Sequence, residues 1–206
     1  RVHAETAAAD PPTVLLPGAT GFLGSVLLHR LLAAGYAVVV LKRSTSHTGR
    51  ILDVLPRTAS VDLDRVPPDA AFEAHGIDAV VHCANRYGRS GESLVELVEA
   101  NVLLGVRLLD LAAHHRVPVF LQAGTRLPPD VGPYARSKAQ FLEWLRGASD
   151  RIAGVEMAMD HVYGPGDDPT GFVTRVVADL VRGVPEIAFT PGEQRRDFLY
   201  VDDCAD

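Results

Sequence analysis

The stretch from Thr13 to Gly24 constrains the fold of this chain more than any other. An apolar run over residues 13–17 leads into three glycines spaced G-x-x-G-x-x-G, and a helical pattern begins directly after them. In such a turn one glycine makes the bend, one lets the backbone approach a pyrophosphate, and one lets the helix pack closely on the strand. Free backbone N–H groups and the positive end of the helix dipole then face the phosphates. The segment therefore predicts a strand–turn–helix unit that binds a dinucleotide.

Apolar runs alternate with helical patterns along most of the chain. We expect strands at 13–17, 37–42, 78–83, 117–123 and 154–160, and helices at 22–34, 92–115 and 134–148. Several of the runs are continuously apolar, which is typical of parallel strands buried on both faces, and the connections are long enough to hold helices. The pattern predicts an α/β fold, a Rossmann-like doubly wound parallel sheet with helices on both faces.

Composition excludes several other classes of protein. The chain has 206 residues, 47% of them hydrophobic, and a formal net charge of −6. The mild acidity argues against a nucleic-acid partner, and no apolar run approaches the roughly 20 residues that span a bilayer. Cys83 and Cys204 lie far apart, so we expect a reduced, cytoplasmic protein. His114 and His115 are adjacent and diverge on a helix, so no metal site is predicted.

A phenol and an ammonium group share one predicted helix face. Tyr134 and Lys138 are four positions apart, and residues at this spacing lie on the same side of a helix. A nearby cation favours a phenolate, so Lys138 is expected to lower the pKa of Tyr134 and let it exchange protons near neutral pH. Thr125 follows the predicted strand 117–123, at the sheet end where α/β folds bind ligands. Each of these signals is common by chance, and their order after a glycine-rich turn strengthens them.

Six segments match, in order, the motifs of one known family. They are the glycine motif at 18–24, V-H-C-A-N at 81–85, the N-x-x-G helix start at Asn101, the set Thr125, Tyr134 and Lys138, V-Y-G-P-G at 162–166, and the G-x-x-x-R-D-F-x-Y-V-x-D segment at 192–203. Together they resemble the extended short-chain dehydrogenase/reductase family, which contains nucleotide-sugar epimerases, dehydratases and ketoreductases. The polar, Ala-rich composition of residues 1–12 indicates a flexible tail. The resemblance implies that residues 13–160 form a cofactor-binding domain and that residues 161–206 begin a nucleotide-sugar lobe.

The resemblance also implies roles for individual residues. Tyr134 would donate a proton, Lys138 would tune it and anchor a ribose, and Thr125 would hold the substrate oxygen. Arg196 would meet the diphosphate of a nucleotide sugar, with a surface pair to Asp197 as the alternative. The implied cofactor contacts are Gly18, Thr20, Gly21, Phe22, Leu23, Gly24, Lys42, Arg43, Ser44, Asp62, Leu63, Ala84, Asn101, Tyr134, Lys138 and His161; the implied substrate contacts are Asn85, Tyr87 and Arg196.

The end of the second predicted strand bears on the choice of cofactor. An NAD site places a carboxylate there for the ribose hydroxyls. This chain has Lys42, Arg43 and Ser44 instead, which favours the 2′-phosphate of NADP(H). The alternative is a basic strand end that faces water.

A preference for NADP(H) indicates that the protein reduces its substrate. Residues 85–93 resemble the branch of the family that makes deoxysugars by reducing a 4-keto intermediate. We therefore expect NADPH-dependent reduction of the C4 keto group of a dTDP- or CDP-linked 4-keto-6-deoxyhexose. The alternatives are an NAD-dependent 4-epimerase or dehydratase, the latter disfavoured by Arg126 and Leu127, and a non-catalytic NADP-binding regulator. The resemblance implies a homodimer formed through 92–115 and 134–148.

The chain departs from the family pattern in two places. Thr125 and Tyr134 are only nine positions apart, where the family has a longer loop, which indicates a trimmed loop or residues missing from the sequence, and we favour the second. Ala158 and His161 stand where the family often has Arg and Asn, and we interpret His161 as a contact near the cofactor and sugar.

Overall fold

The computed structural model describes residues 10–206, so most of the predicted tail lies outside the described residues. Six parallel strands form the main sheet in the order β3-β2-β1-β4-β5-β6. Their bounds are β1 Thr13–Pro17, β2 Ala37–Lys42, β3 Ala59–Asp62, β4 Ala79–His82, β5 Val119–Thr125 and β6 Ala153–Met159. This order reverses between β1 and β4, which creates the crevice at the carboxyl ends of the strands where such sheets bind ligands.

Helices cover both faces of the sheet, and a small second sheet follows it. The helices are α1 Phe22–Ala33, α2 Asp69–Ala74, α3 Leu94–Val98, α4 Leu104–His114, α5 Pro133–Gly147, α6 Phe172–Val181 and α7 Val201–Ala205. Strands β7 His161–Tyr163 and β8 Phe198–Tyr200 pair in parallel outside the main sheet. None of the helices among residues 10–206 is long and apolar enough to cross a membrane.

Two apolar cores, one on each face, hold the layers together. One core contains Phe120 from β5 and Phe141 from α5, both fully buried. The other contains Leu28 from α1 and Ile51 from the loop after β2. The central strands alternate between the two cores, which is why their sequences are continuously apolar. The predicted fold class is confirmed.

The structure contains elements that were not among the expected ones. They are the short strands β3, β7 and β8 and the helices α2, α6 and α7. The predicted helix 92–115 begins at Leu94 and contains a π-helical turn, Glu99–Leu103, between α3 and α4. The other expected strands and helices occur within two residues of their predicted bounds.

Candidate active site

A cavity of about 720 Å³ opens at the carboxyl ends of β1, β4 and β5. The glycine turn forms one end of it, and the end of β5, the start of α5 and the segment from Asp160 to Arg175 form the other. This volume is in the range of sites that enclose a small organic ligand.

The glycine turn leaves room for ligand atoms and none for side chains. Gly18 has a φ of +89°, and a Cβ built on it would overlap the backbone nitrogen of Ala84. A Cβ on Gly24 would overlap the carbonyl oxygen of Gly18. Strand, turn and helix therefore pack backbone to backbone, and the first turn of α1 directs its free N–H groups into the cavity. The turn fits the pyrophosphate of a dinucleotide cofactor.

The three residues predicted to carry the chemistry come from β5 and α5. Thr125 ends β5, and its hydroxyl oxygen accepts a hydrogen bond of 3.3 Å from the Leu127 backbone. The loop from β5 to α5 is short and contains a 3₁₀ turn, Pro129–Val131. Thr125 before this loop and Tyr134 after it both line the cavity. Lys138 lies one helical turn after Tyr134 and is 3% exposed, behind the cavity wall.

Burial, rather than Lys138, dominates the electrostatics of Tyr134. Burial raises the pKa of Tyr134, Tyr87 raises it further, and the charge of Arg89 opposes both. Burial also lowers the pKa of Lys138 to about 8, against smaller opposing effects of Cys83 and Glu156. The expected lowering of the Tyr134 pKa by Lys138 is therefore not seen in this structure.

A row of polar side chains lies beneath Lys138. His82, Gln122 and Glu156 face one another in register across β4, β5 and β6. His82 is fully enclosed between the rings of Phe120 and Phe141, and its Nδ1 and the Oε1 of Gln122 are buried without a hydrogen-bond partner in the described structure. Burial, followed by the charge of Lys138, lowers the pKa of His82 to about 3, so the imidazole is neutral.

Asn101 connects the loop after β4 to helix α5. Its Oδ1 accepts from the backbone N–H of Arg86 at 2.7 Å, and its Nδ2 donates to the Arg86 carbonyl at 2.8 Å. The same Nδ2 donates to the Ser137 hydroxyl at 2.9 Å, which in turn donates to the Tyr134 carbonyl at 2.7 Å. Asn101 is 1% exposed, and the π-helical turn that carries it directs it inward. The loop after β4 and the first turn of α5 are thus held together by one side chain.

Comparison with known proteins identifies the family of the chain. The NAD dependent epimerase/dehydratase family matches residues 14–206. The chain belongs to this family. It is 31% identical over 199 residues to the CDP-abequose synthase of Salmonella typhimurium strain LT2, covering 92% of this chain and 66% of that protein. The chain therefore spans slightly less than two thirds of the length of this curated relative.

Two solved structures of similar proteins have the same fold. The UDP-glucuronic acid 4-epimerase of Bacillus cereus, in complex with NAD, has a TM-score of 0.80 and 26% identity, over 94% of this chain and 70% of its own. The UDP-glucose 4-epimerase of Thermus thermophilus, also in complex with NAD, has a TM-score of 0.74 and 29% identity, over 94% and 72%.

Most residues that the family resemblance singled out come together in the cavity. Those that line it are Gly18, Thr20, Gly21, Phe22, Leu23, Gly24, Lys42, Arg43, Leu63, Ala84, Asn85, Tyr87, Thr125, Tyr134 and His161. The others lie outside the cavity lining: Ser44, Asp62, Asn101, Lys138 and Arg196. Arg196 is exposed, and Asp197, its partner in the alternative interpretation, instead lies 3.9 Å from Arg126.

The structure adds residues that the sequence motifs did not indicate. Ser46 and Arg50 line the cavity near the end of β2, and Arg89 lines it beside Tyr87. Asp160 also lines it, with its Oδ1 2.7 Å from Nδ1 of His161, so a carboxylate orients this imidazole. The adjacency of an acidic residue and a histidine at the end of a predicted strand is the one sequence signal that could have found this pair.

Proposed function

We propose that this protein uses NADPH to reduce the C4 keto group of an NDP-4-keto-6-deoxyhexose. The observation that carries the proposal is the convergence of Thr125 and Tyr134 at one end of a cavity whose other end is the glycine turn. A nicotinamide cofactor whose pyrophosphate lies on that turn supplies hydride when bound. A hydroxyl donor and a phenol at the far end suit a carbonyl oxygen that becomes an alkoxide.

The residues of the chain act on that oxygen. As hydride adds to C4, the carbonyl π electrons move onto oxygen, Thr125 donates a hydrogen bond to it, and Tyr134 transfers its phenolic proton to give the alcohol. Solvent then returns a proton to the phenolate. Lys138, buried one helical turn after Tyr134, is the cation that would favour the phenolate formed during the reaction.

Similarity to a CDP-abequose synthase supports a deoxysugar substrate with a cytidine diphosphate group. The basic end of β2, where Lys42 and Arg43 line the cavity, supports NADPH. We assign residues 13–160 to the cofactor-binding domain and 161–206 to the start of the nucleotide-sugar lobe. A dinucleotide of this kind is held by the glycine turn, and the sugar is held by Asn85, Tyr87 and the residues after β6.

Absorbance at 340 nm tests the proposal directly. NADPH oxidation is expected with CDP-4-keto-6-deoxyglucose or its dTDP analogue, and Tyr134→Phe should lower kcat by at least about 100-fold. Thr125→Ser, which keeps the hydroxyl, is the conservative control and should retain most of the activity. Equal NADPH oxidation by wild type and Tyr134→Phe would contradict the assignment of Tyr134.

An NAD-dependent nucleotide-sugar 4-epimerase or dehydratase is the second candidate. Both solved relatives described above were crystallised with NAD, and the carboxylate of Asp62 lies beside Lys42 at the end of β2. Conversion of a UDP- or dTDP-hexose by the protein with NAD, without NADPH oxidation, would favour this candidate. Binding of NADPH without turnover of any of these sugars would instead favour a non-catalytic regulator.

The family resemblance also supports a homodimer. The faces of α3, the π-helical turn and α5 expose apolar side chains, namely Leu94, Val95, Val98, Leu103 and Trp144. We propose that these helices pair with their copies in a second chain.

A further inference from the structure

A carboxylate lies on the face of the main sheet that helix α5 covers. Glu156 is in β6 and pairs with Gln122 of β5 in the sheet register. A Cβ built on Gly124 would overlap the carboxylate of Glu156, so this carboxylate fills the space above a glycine. A Cβ on Gly154, which points to the same face as Glu156, would overlap Leu145 of α5. The carboxylate is therefore on the α5 side of the sheet.

Lys138 lies at a similar depth on the facing side of α5. The helix starts at the carboxyl end of β5 and β6 is parallel to β5, so α5 and β6 run in opposite directions. From Leu145 back to Lys138 is about 10 Å along the helix. From Gly154, beside Leu145, to Glu156 is about 7 Å along the strand. Lys138 is buried, as is Phe141 one turn later in the core beneath the helix, so the ammonium is directed towards the sheet.

The other titratable groups around Lys138 are uncharged at neutral pH. Burial lowers the pKa of His82 to about 3 and raises the pKa of the Cys83 thiol to about 12. Burial also raises the pKa of Tyr134, one turn before Lys138. Burial lowers the pKa of Lys138, and Cys83 and Glu156 oppose this lowering. Since Cys83 is a neutral thiol, Glu156 is the carboxylate among the described residues that can compensate the ammonium.

We propose that Glu156 is a positioning residue of the active site, which acts through Lys138 by keeping its ammonium charged inside the protein. A buried lysine loses its proton readily unless an opposite charge offsets the desolvation of the ammonium. A neutral Lys138 could not favour the phenolate of Tyr134, whereas an ammonium can. The inference rests on the role of Lys138 in the proposed function and adds to it a residue of β6 that lies outside the sequence motifs.

An NMR titration of the lysines tests the inference without any turnover. The chain contains two lysines, Lys42 and Lys138, so labelling the lysine ε carbon with carbon-13 gives two resonances. Glu156→Gln is expected to lower the titration midpoint of Lys138 from about 8 by about one pH unit and to leave the Lys42 resonance unchanged. Glu156→Asp, which keeps the charge, should show a smaller shift. Glu143→Gln, at an exposed site on α5, is the matched control and should not move the Lys138 midpoint.

The pH profile of NADPH oxidation gives a second readout. At pH 8, Glu156→Gln should lower kcat about fivefold, and the alkaline limb of its kcat profile should move to lower pH by the same amount as the Lys138 midpoint. Equal Lys138 midpoints in wild type and Glu156→Gln would overturn the inference, and so would a loss of kcat by the same factor at every pH. If wild type reduces no 4-keto sugar, the proposed function fails, while the titration still decides whether Glu156 sets the charge of Lys138.

Discussion

The ring of Tyr87 packs against the ring of Tyr134, with 4.9 Å between the centroids and 40° between the planes. Tyr87 comes from the loop after β4 and Tyr134 from the first turn of α5. The guanidinium of Arg89 lies over the Tyr87 ring, 5.0 Å from its centroid. The phenol of Tyr134 is therefore packed against a side chain of the loop after β4, and this loop influences how much of the phenol is exposed to water.

This stack predicts energetic coupling between the two tyrosines. A packed aromatic pair contributes about 0.5–1.5 kcal/mol beyond its area. In a double-mutant cycle with Tyr87→Ala and Tyr134→Ala, we expect a coupling of that size in the free energy of unfolding, measured in urea. Effects that add to within about 0.3 kcal/mol would show that the rings do not interact in solution.

Substitution of Asn101 should lower the free energy of unfolding strongly, although asparagine is usually a surface residue. Asn101→Ala removes the partners of the Arg86 N–H and carbonyl together with a bond to Ser137. Because these groups are shielded from water, we expect a loss of about 2–4 kcal/mol in the free energy of unfolding. Asn85→Ala, whose amide makes one long bond of 3.4 Å, is the matched control and should cost less than about 1 kcal/mol. Similar losses for both variants would contradict the role given to Asn101.

His82 should make the protein acid-sensitive. Its pKa is lowered from 6.5 to about 3 in the folded chain, so below pH 6.5 the unfolded chain binds a proton that the folded chain does not. Stability should fall as pH drops from 6.5 towards 3, by up to about 1.4 kcal/mol per pH unit from this group. His82→Gln should flatten that part of the profile, and His47→Gln, at an exposed site, serves as the control. Urea unfolding at several pH values would show whether the slopes differ.

Lys138 should cost stability at neutral pH. Its pKa falls from 10.5 to about 8 on folding, because burial disfavours the charged form. Below pH 8 both states are protonated and the full penalty applies; between pH 8 and 10.5 the unfolded chain holds the extra proton, so stability rises with pH. Lys138→Met should therefore gain on the order of 3 kcal/mol at pH 7, and the gain should disappear near pH 10.5. A stability gain that is independent of pH would contradict this account, even if activity is lost as expected.

The exposed apolar face of α3 and α5 should be covered in solution. Val95 and Trp144 are 66% and 59% exposed in the single chain. Val95→Glu is expected to shift the protein from dimer to monomer in sedimentation velocity, because a charge cannot be buried unpaired in an apolar interface. The control is Val177→Glu on α6, where valine is 52% exposed on a different element. A monomeric wild type, or equal effects of both variants, would contradict the proposed interface.

The fold was predictable from the sequence because its signals are local. Glycines between an apolar run and a helical pattern, as at Gly18 and Gly24, specify strand, turn and helix with no knowledge of distant residues. Strands β3, β7 and β8 and helices α2 and α7 were not predicted because each has six residues or fewer, which is too short to show a period. Helix α6, Phe172–Val181, is long enough to show one, and its apolar pattern was missed.

The electrostatics of the site were less predictable because they depend on distant partners. Lys42 looks like a free cation in the sequence, yet Asp62, from the neighbouring strand, lies beside it. Arg50 looks like a solvent-exposed loop residue, yet its guanidinium meets Gly166 across the cavity. Lys138 was expected to lower the pKa of Tyr134, yet burial raises this pKa and Tyr87 raises it further. None of these pairings leaves a trace in residue spacing.

The π-helical turn at Glu99–Leu103 determines what the loss of one residue from this segment would do. Such a turn is equivalent to one extra residue in an α-helix. Deleting a single residue within it would restore a regular α-helix and leave α3 and α4 in their present directions. It would also remove the wide turn that carries Asn101, whose side chain could then no longer reach both Arg86 and Ser137. A one-residue deletion in this segment is therefore expected to preserve the exposed face of α3 and to release the loop after β4 from α5.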